Sequence, residues 1–256
     1  MKKYLLPVLF CLFVVPADFA QTAGSNAKPN ATVQQDPFGK LFRQAMDLLE
    51  DEEYAKAAQA FQRALKINPK SAEAFYRLGS CYYELSLYLE AVNAYGEAIK
   101  LKPDYYEAVV YLGNALDYDG QYANAVEMYK KAIALKPTEW QPYYELGIAQ
   151  YNQKLYDEAI QSFQDSLKRD ATMARTHYYL GDSYRMSKRF AEAIKSYQET
   201  IRLDRENELA YYGLGLAYVG QSNAAAARQQ YDKLRAMNAD LAAQLLEEIN
   251  KISLAA

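Results

Sequence analysis

Residues 72–103 read AEAFYRLGSCYYELSLYLEAVNAYGEAIKLKP, and residues 106–137 read YEAVVYLGNALDYDGQYANAVEMYKKAIALKP. Laid over one another, the two phrases share Leu-Gly, an alanine, an aromatic residue and a closing proline at the same offsets. A fixed internal period marks a repeat architecture. Working outward, Pro69, Pro103 and Pro137 recur at intervals of 34, and Leu78, Leu112, Leu146, Leu180 and Leu214 are each followed by glycine. Ala57, Ala91, Ala125, Ala159, Ala193 and Ala227 keep the interval. Each has an aromatic residue four places on: Phe61, Tyr95, Tyr129, Phe163, Tyr197 and Tyr231. Six units follow, 38–71, 72–105, 106–139, 140–173, 174–207 and 208–241.

With each unit numbered from 1, apolar positions 4, 7, 8 and 11 fall on one helical stripe. After a short turn, as at Asp51–Glu53 or Asp119–Gln121, positions 20, 24 and 27 fall on another. Each unit is therefore expected to be two antiparallel helices. The glycine at position 8 and the alanine at position 20 mark where the two backbones should approach closest. A mid-helix glycine costs about 0.5–1 kcal/mol relative to alanine, so keeping five of them implies an offsetting gain in packing. Proline at position 32 stops the second helix. Beyond the sixth unit, Leu241, Leu245, Ile249 and Ile252 recur at helical spacing among Gln244, Glu247, Glu248 and Lys251. Residues 242–256 thus read as an amphipathic closing helix with its tail, covering the last pair and meeting water, as the end of a repeat array must.

This spacing resembles the tetratricopeptide repeat (TPR) family from Phe38 to about Leu241. The resemblance implies an all-α fold, a right-handed superhelical solenoid of antiparallel helix pairs with a C-terminal capping helix. The departures are local. Unit 1 has Gln44 and Ala45 for Leu-Gly, units 4 to 6 carry Ala171, Arg205 and Ala239 for the proline, and Trp140 is the one tryptophan.

Upstream of the units, Met1, Lys2 and Lys3 precede an apolar run from Tyr4 to Pro16, then Ala17, Asp18, Phe19 and Ala20. That order is the pattern of a secretory signal, expected over 1–20 with cleavage after Ala17 or Ala20. The run is shorter than the roughly 20 residues a membrane span needs. Residues 21–37 (QTAGSNAKPNATVQQDP) are polar and read as a disordered tether. Cys11 lies inside the apolar run and only Cys81 would remain after cleavage, which excludes an intramolecular disulfide or a cysteine zinc site.

A formal net charge of -3 with no long Lys/Arg block argues against nucleic acid, whose phosphates demand a basic face. His177, the only histidine, occupies position 4, where other units carry packing residues, and reads as one itself. No HExxH, phosphate loop or nucleophile elbow appears. The glycines of 213–220 (GLGLAYVG) follow no strand, and Gly215 is a position 8 glycine. Asp182 and Arg185 lie three apart on one helix and read as a surface ion pair. Repeats use up the chain, so no enzyme, cofactor or metal is expected.

Positions 2, 5, 9 and 12 point away from the first helix's buried stripe. In the family this chain resembles, first helices line the concave side, and such positions form its groove. Carried onto these residues, that implies a groove of Tyr76, Tyr83, Tyr111, Tyr118, Tyr144, Tyr151, Tyr178, Tyr179 and Tyr212. Arg77, Asn114, Asp117, Glu145, Asp182 and Arg185 are interspersed. The alternative for position 5 is packing against the neighbouring first helix. A clamp for a carboxylate tail, as in chaperone-binding relatives, would need lysine at position 5 and is absent; Asn114 alone matches. The expected role is an exported, periplasmic scaffold binding a protein or peptide through this groove. The alternatives are an envelope glycan-binding module, since tyrosine rings stack on sugars, and an assembly factor held at the inner membrane by an uncleaved N-terminal segment.

Overall fold

The computed structural model describes residues 36–253. The signal segment and nearly all of the tether read from the sequence lie outside these residues. Among the described residues every regular element is an α-helix. They are α1 (Pro37–Glu50), α2 (Tyr54–Ile67), α3 (Ala72–Glu84), α4 (Tyr88–Leu101), α5 (Tyr106–Tyr118), α6 (Tyr122–Leu135), α7 (Gln141–Asn152), α8 (Tyr156–Leu167), α9 (Ala174–Met186), α10 (Phe190–Leu203), α11 (Glu208–Gly220), α12 (Ala224–Met237) and α13 (Ala239–Ser253). Each unit contributes one pair, and α13 closes the array, starting three residues ahead of the expected 242. None is long and apolar enough to cross a membrane.

Each helix packs on the next, and the first helices α3, α5, α7, α9 and α11 also touch one another in series. Second helices of successive units make no comparable contact. The first helices therefore form the inner layer of a solenoid, as the repeat pattern predicts.

The aromatic residue at position 24 explains the glycines of units 2 to 5, whereas Gly215 of unit 6 faces Leu245 of the closing helix. Alanine at position 20 is fully buried in all six units, but it is not what the glycine faces. A Cβ on Gly79, Gly113 or Gly147 would lie 2.7, 2.6 and 2.6 Å from the rings of Tyr95, Tyr129 and Phe163. The expected backbone-to-backbone approach is thus a backbone-to-ring approach. The ring occupies the room that a side chain would take. Phe61, Tyr95, Phe163 and Tyr197 are fully buried and Tyr129 is 1% exposed.

Burying a tyrosine requires a partner for its hydroxyl. Position 9 of the same unit supplies it. Tyr95 donates to Ser80 Oγ at 3.4 Å, Tyr129 to Asn114 Oδ1 at 2.9 Å and Tyr197 to Asp182 Oδ1 at 2.9 Å. Where position 24 is Phe61 or Phe163, position 9 is Met46 or Ile148.

The turn within each pair repeats as well. Position 15 is left-handed in all six units, at Glu52, Ser86, Gly120, Lys154, Lys188 and Ser222. The following N–H returns to a carbonyl five residues back, as Leu87 N to Tyr82 O at 2.9 Å and Gln121 N to Leu116 O at 2.8 Å. This closure satisfies helix-end carbonyls and aims the second helix back along the first.

Candidate functional site

The inner layer carries two aromatic clusters built from the same positions, two units apart. In the first, Tyr111 at position 6 of α5 reaches back over the preceding unit. Its ring lies 6.0 Å from Tyr76, 6.2 Å from Tyr83 and 6.0 Å from Tyr95. In the second, Tyr179 on α9 lies 6.1 Å from Tyr144, 5.9 Å from Tyr151 and 6.0 Å from Phe163. The N-terminal residues of the second helices extend both clusters. Tyr88 stacks on Tyr118 at 5.1 Å, and Tyr156 meets Tyr151 edge-on at 5.6 Å. Tyr118, 40% exposed, is the most open ring of the first cluster.

Position 5 does not stand free of the core. Tyr76 and Tyr144 are buried and pack on the position 24 ring of their own unit, at 5.8 Å from Tyr95 and 6.0 Å from Phe163. Burial holds the Tyr144 phenol well above its ordinary range, with the Glu145 charge adding to the effect. These two tyrosines belong to the core, buried against those rings. Tyr178, partly buried, does the same against Tyr197 at 6.0 Å and also touches Tyr179 at 5.2 Å.

Asp182 and Arg185 form an ion pair at 2.5 Å, but not on the surface. Asp182 is buried and accepts hydrogen bonds from Tyr197 at 2.9 Å, from Arg185 Nε at 2.8 Å and from Tyr151 of the preceding unit. It staples unit 4 to unit 5. Asn114, partly buried, is likewise committed to Tyr129. Arg77 pairs with Glu73 at 2.7 Å, and the Tyr105 hydroxyl donates to the other oxygen of the same carboxylate. Tyr212 lies apart from both clusters, packed in the closing core with Leu234, Leu245 and Ile249 and sensing the charges of Glu248 and Glu247 on α13.

Between the clusters lies Glu145, at position 6 of α7. Burial first and the Asp117 charge after it push its carboxyl up to about 7, against the opposing pull of Arg175. Asp117 itself accepts from Asn152 Nδ2 at 3.3 Å. The charge of Glu145 is felt by the hydroxyls of Tyr83, Tyr118, Tyr129 and Tyr179. Groups on α3, α5, α6 and α9 thus lie within electrostatic reach of one carboxylate. Sequence reasoning overlooked Tyr88, Tyr156 and Arg175. The first two had a signal, since position 17 is aromatic in five units: Tyr54, Tyr88, Tyr122, Tyr156 and Phe190.

Other reactive groups lie elsewhere or are closed off. His177 Nε2 sits 3.1 Å from Ala171 O, and Cys81 is fully buried with its thiol pushed up by burial to about 12. No group of three or more His, Cys, Asp or Glu among the described residues is placed to hold a metal ion. The inner face offers aromatic area, hydroxyls and a carboxylate.

Comparison with known proteins supports the same architecture. The tetratricopeptide repeat family model matches residues 42–106, 83–139 and 111–174, and a second TPR model matches 181–222. No curated protein matches. Among solved structures, YrrB, described as a TPR protein with an unusual peptide-binding site, is 20% identical with a TM-score of 0.64, covering 74% of this chain and 99% of its own. MamA from Desulfovibrio magneticus RS-1 is 22% identical with a TM-score of 0.64, over 67% of this chain and 97% of that one. PilW, a type IV pilus biogenesis factor, is 19% identical with a TM-score of 0.67, over 79% and 94%. Identities this low speak for the fold alone, whereas the family models cover more than half of the residues. The chain belongs to the tetratricopeptide repeat family.

Proposed function

We propose that this chain is a non-catalytic exported scaffold that binds a protein or peptide partner along the inner face of its repeats. The observation that carries the reading is the partly exposed Tyr83–Tyr118–Tyr88 cluster, on the first helices α3 and α5 and the start of the second helix α4, with ring spacings of 5.6 and 5.1 Å. Rigid tyrosines supply contact area and hydrogen bonds at small entropic cost, which is why they anchor interfaces. The structurally similar YrrB is described as having a peptide-binding site, which agrees with this reading. Export rests on the charged, apolar and small-residue order of residues 1–20, and on this reading the partner belongs to the cell envelope.

The test is capture of partners from envelope extract by the wild type and by the double variant Tyr83→Ala, Tyr118→Ala. Loss of capture with helicity retained supports the reading. Undiminished capture overturns it. Titration of saccharides against Tyr and Trp fluorescence is the parallel arm, and saturable binding there in place of protein capture would favour a glycan-binding module.

A further inference from the structure

Residues 85–89 (LSLYL) form the turn of unit 2, from the end of α3 into the start of α4. The same turn reads DEEYA at 51–55, DGQYA at 119–123, QKLYD at 153–157, SKRFA at 187–191 and QSNAA at 221–225. All of them share one backbone. The second residue is left-handed, and the third returns its N–H to a carbonyl five residues back. Leucine stands at the first and fifth places in unit 2 alone, and at the third place only Leu155 of unit 4 matches Leu87. The turn therefore forms without leucine, yet Leu85, Leu87 and Leu89 are 36%, 41% and 56% exposed. Between them Tyr88 stacks on Tyr118 at 5.1 Å, so the leucines adjoin the aromatic cluster of the inner face. Large apolar groups left together in water, at places where the sister turns are mostly polar or small, mark a contact surface.

The charges nearby say what covers them. Leu85 lines an open hollow with Glu52, Glu53 and Tyr54 of the unit 1 turn. Glu50 and Asp51 precede Glu52, and Glu84 and Glu90 flank the leucines; all of these carboxylates are exposed. Among the described residues Glu53 alone of them is in an ion pair, with Lys56 at 2.5 Å. Burial and then the Glu52 charge push the Glu84 carboxyl above its ordinary range, as like charges crowded together do. An apolar patch rimmed by carboxylates suits apolar side chains accompanied by cations. A second copy of this chain would set one acidic rim against another, and an anionic bilayer would repel the rim.

We infer that the unit 2 turn is a docking surface for a partner segment bearing leucine-like side chains flanked by lysine or arginine. This goes beyond the inner-face reading by adding a second contact, at the turn end of the helix pairs, with a chemistry of its own.

The test measures anisotropy of short fluorescein-labelled peptides against the purified chain. One peptide has leucines on one helical face and lysines on the other, and in the second peptide glutamates replace the lysines. The triple variant Leu85→Gln, Leu87→Gln, Leu89→Ala introduces only residue types that other units carry at these places, and circular dichroism with thermal melts checks its fold. The wild type is expected to bind the Leu/Lys peptide about tenfold or more tightly than the Leu/Glu peptide, and the triple variant to lose about tenfold or more of that binding. Asp51→Asn, Glu52→Gln, Glu84→Gln should weaken binding and flatten its salt dependence, whereas Glu158→Gln, Glu206→Gln, at exposed carboxylates elsewhere, should leave it unchanged. Equal binding of the two peptides, binding of neither, or undiminished Leu/Lys binding by the triple variant overturns the inference. Sedimentation of the wild type with phosphatidylglycerol vesicles that the triple variant abolishes assigns the leucines to a membrane and overturns it as well. None of the substituted residues belongs to the Tyr83–Tyr118–Tyr88 cluster, so failure here leaves the inner-face reading standing.

Discussion

Gly113→Ala tests the packing logic of the whole array. A Cβ at this position would lie 2.6 Å from Tyr129 Cε1. The ring has nowhere to go, being 1% exposed and tied through its hydroxyl to Asn114 at 2.9 Å. Overpacking a filled core costs about 1–3 kcal/mol, and removing a mid-helix glycine returns about 1 kcal/mol. The net expectation is destabilisation of up to about 2 kcal/mol. Gly96, inside α4, is the control, since a Cβ there meets nothing within 4 Å. Gly96→Ala should stabilise by about 0.5–1 kcal/mol. Urea unfolding followed by circular dichroism, with Trp140 fluorescence as a second probe because repeat arrays need not unfold in one step, gives both midpoints. If Gly113→Ala rises in midpoint as Gly96→Ala does, the claim that position 24 rings dictate the glycines is refuted.

Tyr144→Ala should cost about 3 kcal/mol or more, as loss of a large buried ring does, and thermal melts should show it failing before any binding assay is meaningful. Asp182→Ala removes the acceptor shared by Tyr151, Tyr197 and Arg185. It should destabilise by about 3 kcal/mol because a partly buried guanidinium is left without its charge partner, and hydrogen exchange should rise in α9 and α10 first. Glu145 gives stability a pH dependence of definite sign. Its carboxyl is raised to about 7 in the folded chain, so the folded state binds the extra proton between the ordinary carboxylate range and that value. Stability should fall as pH rises from about 4.5 to 7, and Glu145→Gln should flatten that stretch of the denaturation profile. A chain ending at Asn238 loses the α13 residues Leu245 and Ile249, both fully buried. It should melt earlier and aggregate, and equal solubility would show that α13 is not the cap.

The period, the helix pairs and the closing helix were legible because they rest on spacing, which the chain repeats six times. What the glycine faces was not, since spacing says that two things approach without saying which. The link between positions 9 and 24 was present in the sequence of units 1 to 5, with Ser80, Asn114 and Asp182 accompanying tyrosines and Met46 and Ile148 accompanying phenylalanines, while unit 6 departs from it with Leu216 beside Tyr231. It emerges only once the hydroxyl's need for a partner is set beside the fold. A helical wheel placed position 5 opposite the core, yet Tyr76 and Tyr144 are buried, because in a solenoid a first helix has neighbours on both sides as well as beneath. Left-handed turns at Glu52, Ser86, Lys154, Lys188 and Ser222 carry no glycine signal at all. There the returning hydrogen bonds of the helix end outweigh the local preference of the residue.

The central claim, recognition along the inner face, is most directly tested by placing a photo-crosslinking phenylalanine analogue at position 118 of the inner cluster or at position 130, an exposed site on the second helix α6, and irradiating in envelope extract. The account predicts a discrete partner adduct from position 118 that is absent from position 130. An adduct from position 130 with none from position 118 would contradict it.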